Sequence, residues 1–186
     1  MSIVGNNIYL EKFNVTHLHD PDYLSWLRDF EVMKYIGREE YLTPISFVEV
    51  KEYVQNLWND KYNLFFAVHE KDINRFIGTA KINYINETGV KTKTADIGIM
   101  IGDRGSWGKG LAKDILYTVS KYCFDELKLR KLTAGALAPN IPVIKAFESI
   151  GYKREAFLRE KIYFENKYFD QLLFGCFKNE LNDFRK

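Results

Sequence analysis

The sequence predicts a mixed α/β domain built on one central sheet with helices packed on its faces. Three observations carry this. Apolar spacing alternates between a period of two and a period near 3.6 along the chain. The resulting order is strand, helices, a run of strands, helix, strand, helix, strands. Near the middle, residues 94–113 (TADIGIMIGDRGSWGKGLAK) join an apolar run to a glycine-rich basic turn and then to an amphipathic stretch. That layout sets a helix N-terminus, with its unpaired N–H groups, where a strand stops.

Residues 7–13 alternate Ile8, Leu10 and Phe13 with polar positions and predict a first strand. Residues 19–36 predict two short helices split near Asp29, the first capped by Asp20 before Pro21. Residues 46–60 predict a helix with Ser46 as cap and Glu49 completing a capping box. Its expected inward face is Val48, Val50, Tyr53, Val54, Leu57 and Trp58. Residues 63–68 and 75–84 predict strands about the polar turn 70–74, and residues 95–101 a strand entering the glycine turn. The helix beyond carries the stripe Leu111, Ile115, Leu116, Val119, Tyr122, Cys123 and Leu127. Residues 131–138 predict the next strand. Asn140 opens a helix that tolerates Pro142 in its first turn and stops at Gly151. Residues 152–177 predict strands around a turn at 165–167.

A chain of 186 residues fits a single domain spanning 1–186 with a sizeable core. Apolar residues make up 46% of it, with 14 Phe and 12 Tyr, which excludes global disorder. Lys and Arg number 27 against 25 Asp and Glu, so the basic footprint of a nucleic-acid binder is missing. Cys123 and Cys176 sit in apolar segments without a Cys–x–x–Cys spacing and predict buried small hydrophobes. His17, His19 and His69 are scattered, and no metal-ligand spacing joins them. The start MSIVGNNIYL has neither a basic n-region nor a long apolar core, and no apolar run approaches a membrane span. The expectation is a cytoplasmic protein with no membrane partner, monomeric or homodimeric.

The glycine turn carries the chemistry. Gly105, Gly108 and Gly110 permit tight turning and keep side chains away from an approaching anion. The amides of residues 107–111 can then converge on phosphate, with Arg104, Lys109 and Lys113 adding positive charge. A Walker loop is excluded because Gly110, not Ser or Thr, follows Lys109. A dinucleotide fingerprint is excluded because Lys113 stands where its third glycine belongs.

On these residues the chain resembles the GNAT superfamily of acyl-CoA-dependent N-acyltransferases. It looks most like the branch of ribosomal-protein, polyamine and amino-sugar acetyltransferases. The run 106–112 (SWGKGLA) is similar to that branch's Tyr-Trp-Gly-Lys-Gly-Tyr-Ala turn. Asn140, the helix around Lys145 to Phe147, and Gly151-Tyr152 resemble its Asn…Gly-Phe signature. Residues 26–35 (WLRDFEVMKY) and 158–170 (LREKIYFENKYFD) resemble its N-terminal stretch and closing hairpin.

The resemblance implies a mixed, mostly antiparallel sheet splayed between two neighbouring strands, and acetyl-CoA as cofactor. It assigns the pyrophosphate to the turn at Arg104, Gly105, Ser106, Trp107, Gly108, Lys109, Gly110, Leu111 and Ala112. The pantetheine arm falls to Asn140 and to the strand at Ile99, Met100 and Ile101, one of whose amides would face the thioester carbonyl. The reaction is direct attack by a primary amine of a small-molecule acceptor. Asp96 is the candidate base, acting through water; it also fits a solvent-facing strand edge. Many relatives place a proton-donating tyrosine where this chain has Phe147, beside the coenzyme; Tyr152, Tyr163 and Tyr168 are the candidate substitutes, Tyr163 foremost, and plain aromatic packing is the rival for each. Trp26, Arg28, Tyr35 and Tyr168 would line the acceptor groove, although Trp26 and Tyr35 also fit the core and Arg28 a solvated surface. Aromatic walls with one arginine favour an amino sugar, nucleotide-linked, over a polyamine, with a protein N-terminus the close second. A non-catalytic acyl-CoA-binding module is the alternative of another class.

Overall fold

The computed structural model describes residues 2–38, 43–84 and 87–184. Eight strands form one sheet in the order β1-β2-β3-β4-β5-β6-β8-β7. They are β1 (Ser2–Val4), β2 (Ile8–Lys12), β3 (Asn63–Glu70), β4 (Arg75–Asn83), β5 (Thr94–Ile101), β6 (Lys131–Leu137), β7 (Lys153–Phe164) and β8 (Lys167–Phe177). Every neighbouring pair is antiparallel except β5 with β6. The predicted mixed, mostly antiparallel sheet is therefore present.

Helices cover both faces. One face packs against α6 (Leu111–Asp125) and α7 (Ile141–Ser149), whose Ile115, Leu116, Val119, Ile144 and Phe147 meet Ile97, Leu132, Ala134 and Phe174. The other packs against α1 (Val15–Leu18), α2 (Pro21–Arg28), α3 (Phe30–Met33) and α4 (Phe47–Asn59), around Phe13, Tyr23, Trp26, Val54 and Phe65. A short α5 (Glu87–Thr92) precedes β5.

Local chemistry explains the boundaries. Asp20 accepts from the Asp22 N–H and starts α2 at Pro21. Asp29 ends that helix in extended geometry and caps α3 through the Glu31 N–H, so one residue makes the expected split. Ser46 and Glu49 form the expected capping box of α4. The β7–β8 turn is Glu165-Asn166, both at positive φ (52° and 56°), the two-residue loop whose twist suits a hairpin. Gly151 (φ 98°) ends α7 where any Cβ would strike the Glu180 carbonyl.

Several expectations need correction. Strand β1 and helices α1 and α5 were not foreseen; each is six residues or fewer and too short to show a period. The inward face of α4 is narrower than expected: Val50, Val54 and Leu57 are buried, whereas Val48, Tyr53 and Trp58 are exposed. Trp58 reaches sideways to donate its Nε1–H to the Phe13 carbonyl. Asp114 in the first turn of α6 is buried and accepts from the Asn6 and Asn7 N–H groups (3.0 and 2.6 Å), fastening the β1–β2 turn to the helix that opens the site.

Candidate active site at the opening of the sheet

Strands β5 and β6 pair over only three rungs: Thr94 with Lys131, Ala95 with Leu132, Asp96 with Thr133. Beyond Asp96 each strand continues but pairs only with its other neighbour, β4 or β8. The sheet therefore opens as a V whose closed end is Asp96–Thr133. Its mouth lies between the glycine turn after β5 and the start of α7 after β6.

The main chain lining this V can be assigned. Gly102 N–H donates to the Ile77 carbonyl on β4, in line with the β4–β5 register. Alternation along an antiparallel strand then turns the polar groups of Met100 and Gly98 toward β4, and those of Ile97, Ile99 and Ile101 toward the opening. Of the three strand residues expected to meet the coenzyme, Ile99 and Ile101 present their amides there. Met100 does not: its main chain belongs to the β4 ladder and its side chain packs on the α1–α4 face.

At the mouth, α6 begins at Gly110 in the left-handed region (φ 77°) with no side-chain cap. Its first-turn N–H groups are the unpaired donors of any helix start. Gly108 is also left-handed (φ 76°), and a Cβ on either glycine would meet nothing within 4 Å. Side chains at these two positions would protrude into the space over the helix terminus, which glycine keeps clear. The fit for a phosphate group is good.

The charged side chains of the turn behave differently from expectation. Lys109 Nζ lies 3.0 and 3.2 Å from the two carboxylate oxygens of Glu70. Arg104 pairs with Asp29 at 3.4 Å and lies over the Trp107 ring. Ser106 is buried, its hydroxyl 2.7 Å from Asp103 Oδ2 and 2.9 Å from Glu70 Oε2, so it anchors the turn from below. Lys109 and these hydrogen bonds hold the Glu70 carboxyl below its ordinary range. The Trp107 N–H is already bonded to the Arg104 carbonyl, which removes it from the set of amides expected to converge on an anion. Gly105 is exposed beside Asp103, while Leu111 buries its side chain and Ala112 half-buries its own, so these two can contribute main chain only. Glu70 was invisible in the sequence, where it reads as the polar end of an apolar strand.

Across the mouth, Asn140 is the N-cap of α7, yet its side chain makes no capping hydrogen bond. An asparagine at this position ordinarily bonds the helix's own amides. Here that amide is left available at the β6 side of the opening. Phe147 was expected beside the coenzyme; it is buried instead, stacked on Phe174 and tilted against Tyr152. The Tyr152 hydroxyl meets Ser120 Oγ at 2.8 Å inside the core.

Helices α6 and α7 close one face of the V. The other face is open where Gly98 and Gly135 flank it, both exposed, and a Cβ at Gly98 would touch nothing within 4 Å. Asp96 stands at the apex on this open face, as alternation with Ala95 and Ile97 requires. Its carboxylate accepts from Thr133 Oγ1 at 3.0 Å. Burial pushes the Asp96 carboxyl up, partly opposed by that hydrogen bond and by the nearby Lys81 ammonium. Lys81 lies on β4 opposite Gly98; burial and Arg38 pull its ammonium down. Thr133 and Lys81 were missed because only the strand register brings them to Asp96.

The expected acceptor wall is not assembled. Trp26 is core, 6% exposed, against Phe76 and directly over Gly102, where a Cβ would fall within its ring. Arg28 is exposed and donates Nε–H to the Ile45 carbonyl. Tyr35 is half-buried under the Lys34 ammonium. Tyr163 and Tyr168 pair with each other at the exposed hairpin tip, and the Tyr163 hydroxyl donates to Asn166. Their neighbour Phe164, on the opposite side of the strand, is the residue that stacks on Phe30 of α3. The two tyrosines thus face away from the N-terminal helices.

The histidines also depart from expectation. His17 and His69 meet Nε2 to Nε2 at 3.3 Å, with Glu11 Oε1 3.0 and 3.3 Å away. Distances alone would suit a metal. However, Asn14 N–H donates to His17 Nδ1, which leaves the ring proton on Nε2 facing Glu11. His69 Nδ1 has no partner. Ligating imidazoles normally donate their second nitrogen's proton to an acceptor, and neither does so here. The cluster reads as a hydrogen-bonded one.

An opened sheet beside a glycine-capped helix is a place where a phosphate-bearing ligand fits. The chain belongs to the GNAT acetyltransferase family, matching the Acetyltransferase (GNAT) domain over residues 8–153. It is an acetyltransferase with acetyl-CoA as acyl donor. It is 26% identical over 176 residues to the uncharacterized N-acetyltransferase p20 of Bacillus licheniformis, covering 93% of this chain and 97% of that one. It is 29% identical over 161 residues to the probable N-acetyltransferase YjcK of Bacillus subtilis (strain 168), covering 85% and 87%. Its fold resembles the spermidine N-acetyltransferase of Vibrio cholerae solved with CoA and spermine, at a TM-score of 0.82, 21% identity, and coverage of 94% and 97%. Among the described residues no helix is long and apolar enough to cross a membrane.

Proposed function

We propose that this chain acetylates the primary amine of an amino sugar, nucleotide-linked, which enters from the open face of the V and attacks the acetyl thioester directly. The observation that carries the reading is the parting of β5 and β6 after Asp96–Thr133, with α6 and α7 closing one face and Gly98 leaving the other clear. In this reading, the free amides from Gly108 to Ala112 hold the pyrophosphate by the positive end of the α6 dipole. Asn140 steadies the pantetheine arm. The Ile99 N–H is placed to donate to the thioester oxygen as charge develops on it.

A primary alkyl amine arrives protonated, with a reference value of about 10. Asp96 takes that proton, directly or through water, and its carboxyl is better matched to the task for being raised. A thiolate, with a reference value of about 8.5, leaves without an acid, so the lack of a tyrosine at Phe147 is tolerable. Tyr163 is not needed, and its hydroxyl is occupied in the hairpin turn.

Lys81 gives the open face a cation that can meet an anionic group of the acceptor; Arg38, Asp96 and Asp60 all lie near enough to act on it. A polyamine would call for several carboxylates. The likeness to a spermidine acetyltransferase keeps the polyamine reading as the second one. Thiol release from acetyl-CoA, measured over a panel of nucleotide-linked amino sugars, polyamines and N-terminal peptides, decides between them. Release with polyamines or peptides alone ends the sugar reading. CoA binding without release on any amine would make the chain a binding module.

A further inference from the structure

The open face already contains one amine belonging to the protein. Lys81 sits on β4 directly opposite Gly98 of β5, and its side chain shares the face of Asp96. Neighbouring strands lie about 4.8 Å apart, and a lysine's four-carbon stem spans that distance. Gly98 offers no side chain to block the crossing, and a Cβ there would meet nothing. Among the described residues, Lys81 forms no ion pair within bonding distance; Asp96 and Asp60 act on it only at longer range.

We propose that Lys81 is a self-acetylation site: its amine takes the acetyl group of acetyl-CoA bound in the V when no acceptor occupies the open face. This rests on the reading of the V as the donor site. The Nζ lone pair attacks the thioester carbon. The new N–C bond forms as the C–S bond breaks, and the electron pair leaves on sulfur. The proton given up by Nζ passes to Asp96 and then to the thiolate, leaving N-acetyl-lysine and CoA. Burial, which lowers the Lys81 ammonium, supplies more of the free amine than an exposed lysine would have. Acetylation also removes the cation from the acceptor face, so the modified enzyme should bind anionic acceptors less well.

The test incubates the full chain with acetyl-CoA without acceptor and follows intact mass, then maps the site by peptide mass spectrometry. One acetyl group per chain on Lys81, added at a rate independent of protein concentration, is the expected result. Lys81→Arg should lose it, and Gly108→Glu should reduce it to the level of exposed surface lysines. The proposal is overturned if Lys81 stays unmodified while CoA binds, if the rate rises with protein concentration, or if Gly108→Glu labels as fast as the parent. CoA affinity measured on the same samples separates the failures. Unlabelled Lys81 with intact CoA binding sinks this inference alone, whereas no CoA binding sinks the donor-site reading beneath it.

Discussion

The two sides of the opening are made of different material. The proposed donor side is main chain: uncapped amides at the start of α6, strand amides at Ile99 and Ile101, and glycines that keep clear of them. The proposed acceptor side is side chain: Asp96 held by Thr133, Lys81 across Gly98, and Gln171 beside Gly135. A main-chain site depends on where the backbone may turn, and glycine spacing records that in one short run. A side-chain site depends on which strands lie together, and no local run records it. Even the basic residues of the glycine turn fall under this distinction. Lys109 and Arg104 read as phosphate ligands in sequence, yet Glu70 and Asp29 already engage them.

The largest expected effect separates chemistry from binding on the acceptor side. Asp96→Asn keeps the shape and the Thr133 contact but cannot take a proton. Turnover should fall by about 10²–10⁴, the usual worth of a general base. Acetyl-CoA affinity should stay within about twofold, because the carboxylate faces away from the phosphate cradle. The parent's activity should rise with pH through the raised Asp96 carboxyl, and the variant should lose that acidic limb. Parental turnover in the variant would remove Asp96 from the mechanism.

The donor side should break next. Gly108→Glu sets a carboxylate over the α6 terminus, and CoA affinity should fall about 100-fold, near 3 kcal/mol at 1.4 kcal/mol per decade. Strain at φ 76° also threatens the fold, so Gly108→Asn is the companion. Asparagine tolerates the left-handed conformation and carries no charge. It should weaken binding much less, by calorimetry or fluorescence titration. Equal affinity in the Glu variant and the parent would place the phosphates elsewhere.

How much of this was legible follows from the same distinction. The order of the strands from β2 to β8, the helices α2, α3, α4, α6 and α7 between them, and the capping box of α4 could be read because each uses local chemistry. The acceptor wall could not. Trp26 and Tyr163 carry the aromatic character of a sugar-binding wall, but the fold spends one on covering Gly102 and leaves the other at an exposed hairpin tip. His17 and His69 stand far apart in sequence: α1 sets His17 beside Glu11, and the pairing of β2 with β3 adds His69. For Trp26 over Gly102 and for His69 beside Glu11 the deciding contact lies beyond any sequence window.

A comparison of two helix caps gives a smaller effect. Ser46 bonds the first turn of α4 in a complete capping box, whereas Asn140 leaves α7 uncapped by its side chain. Ser46→Ala should therefore cost about 1 kcal/mol of stability. Asn140→Ala should cost little stability and instead raise the KM for acetyl-CoA about tenfold. Urea unfolding and initial-rate kinetics on both variants test the contrast. A stability loss at Asn140 with unchanged KM would return that residue to a purely helical role.

The smallest effect belongs to the histidine cluster, away from the opening. Burial pulls both His17 and His69 below the usual imidazole range, with Glu11 and Asp20 opposing and the Tyr9 ring stacked on His69. The unfolded chain then binds more protons than the folded one once pH drops below about 6.5. Stability from the cluster is complete above that value and is lost as pH falls through the depressed folded values. Geometry gives the reason. Protonating His17 puts a hydrogen on Nδ1 against the Asn14 N–H and breaks the cap of α1. Protonating His69 buries an Nδ1–H that has no acceptor. Unfolding free energy should drop by about 1 kcal/mol between about pH 7.5 and about pH 5.5. His69→Phe keeps a ring against Tyr9 and removes both nitrogens, so it should flatten the slope. An unchanged slope in that variant would mean that other groups set the acid sensitivity of the fold.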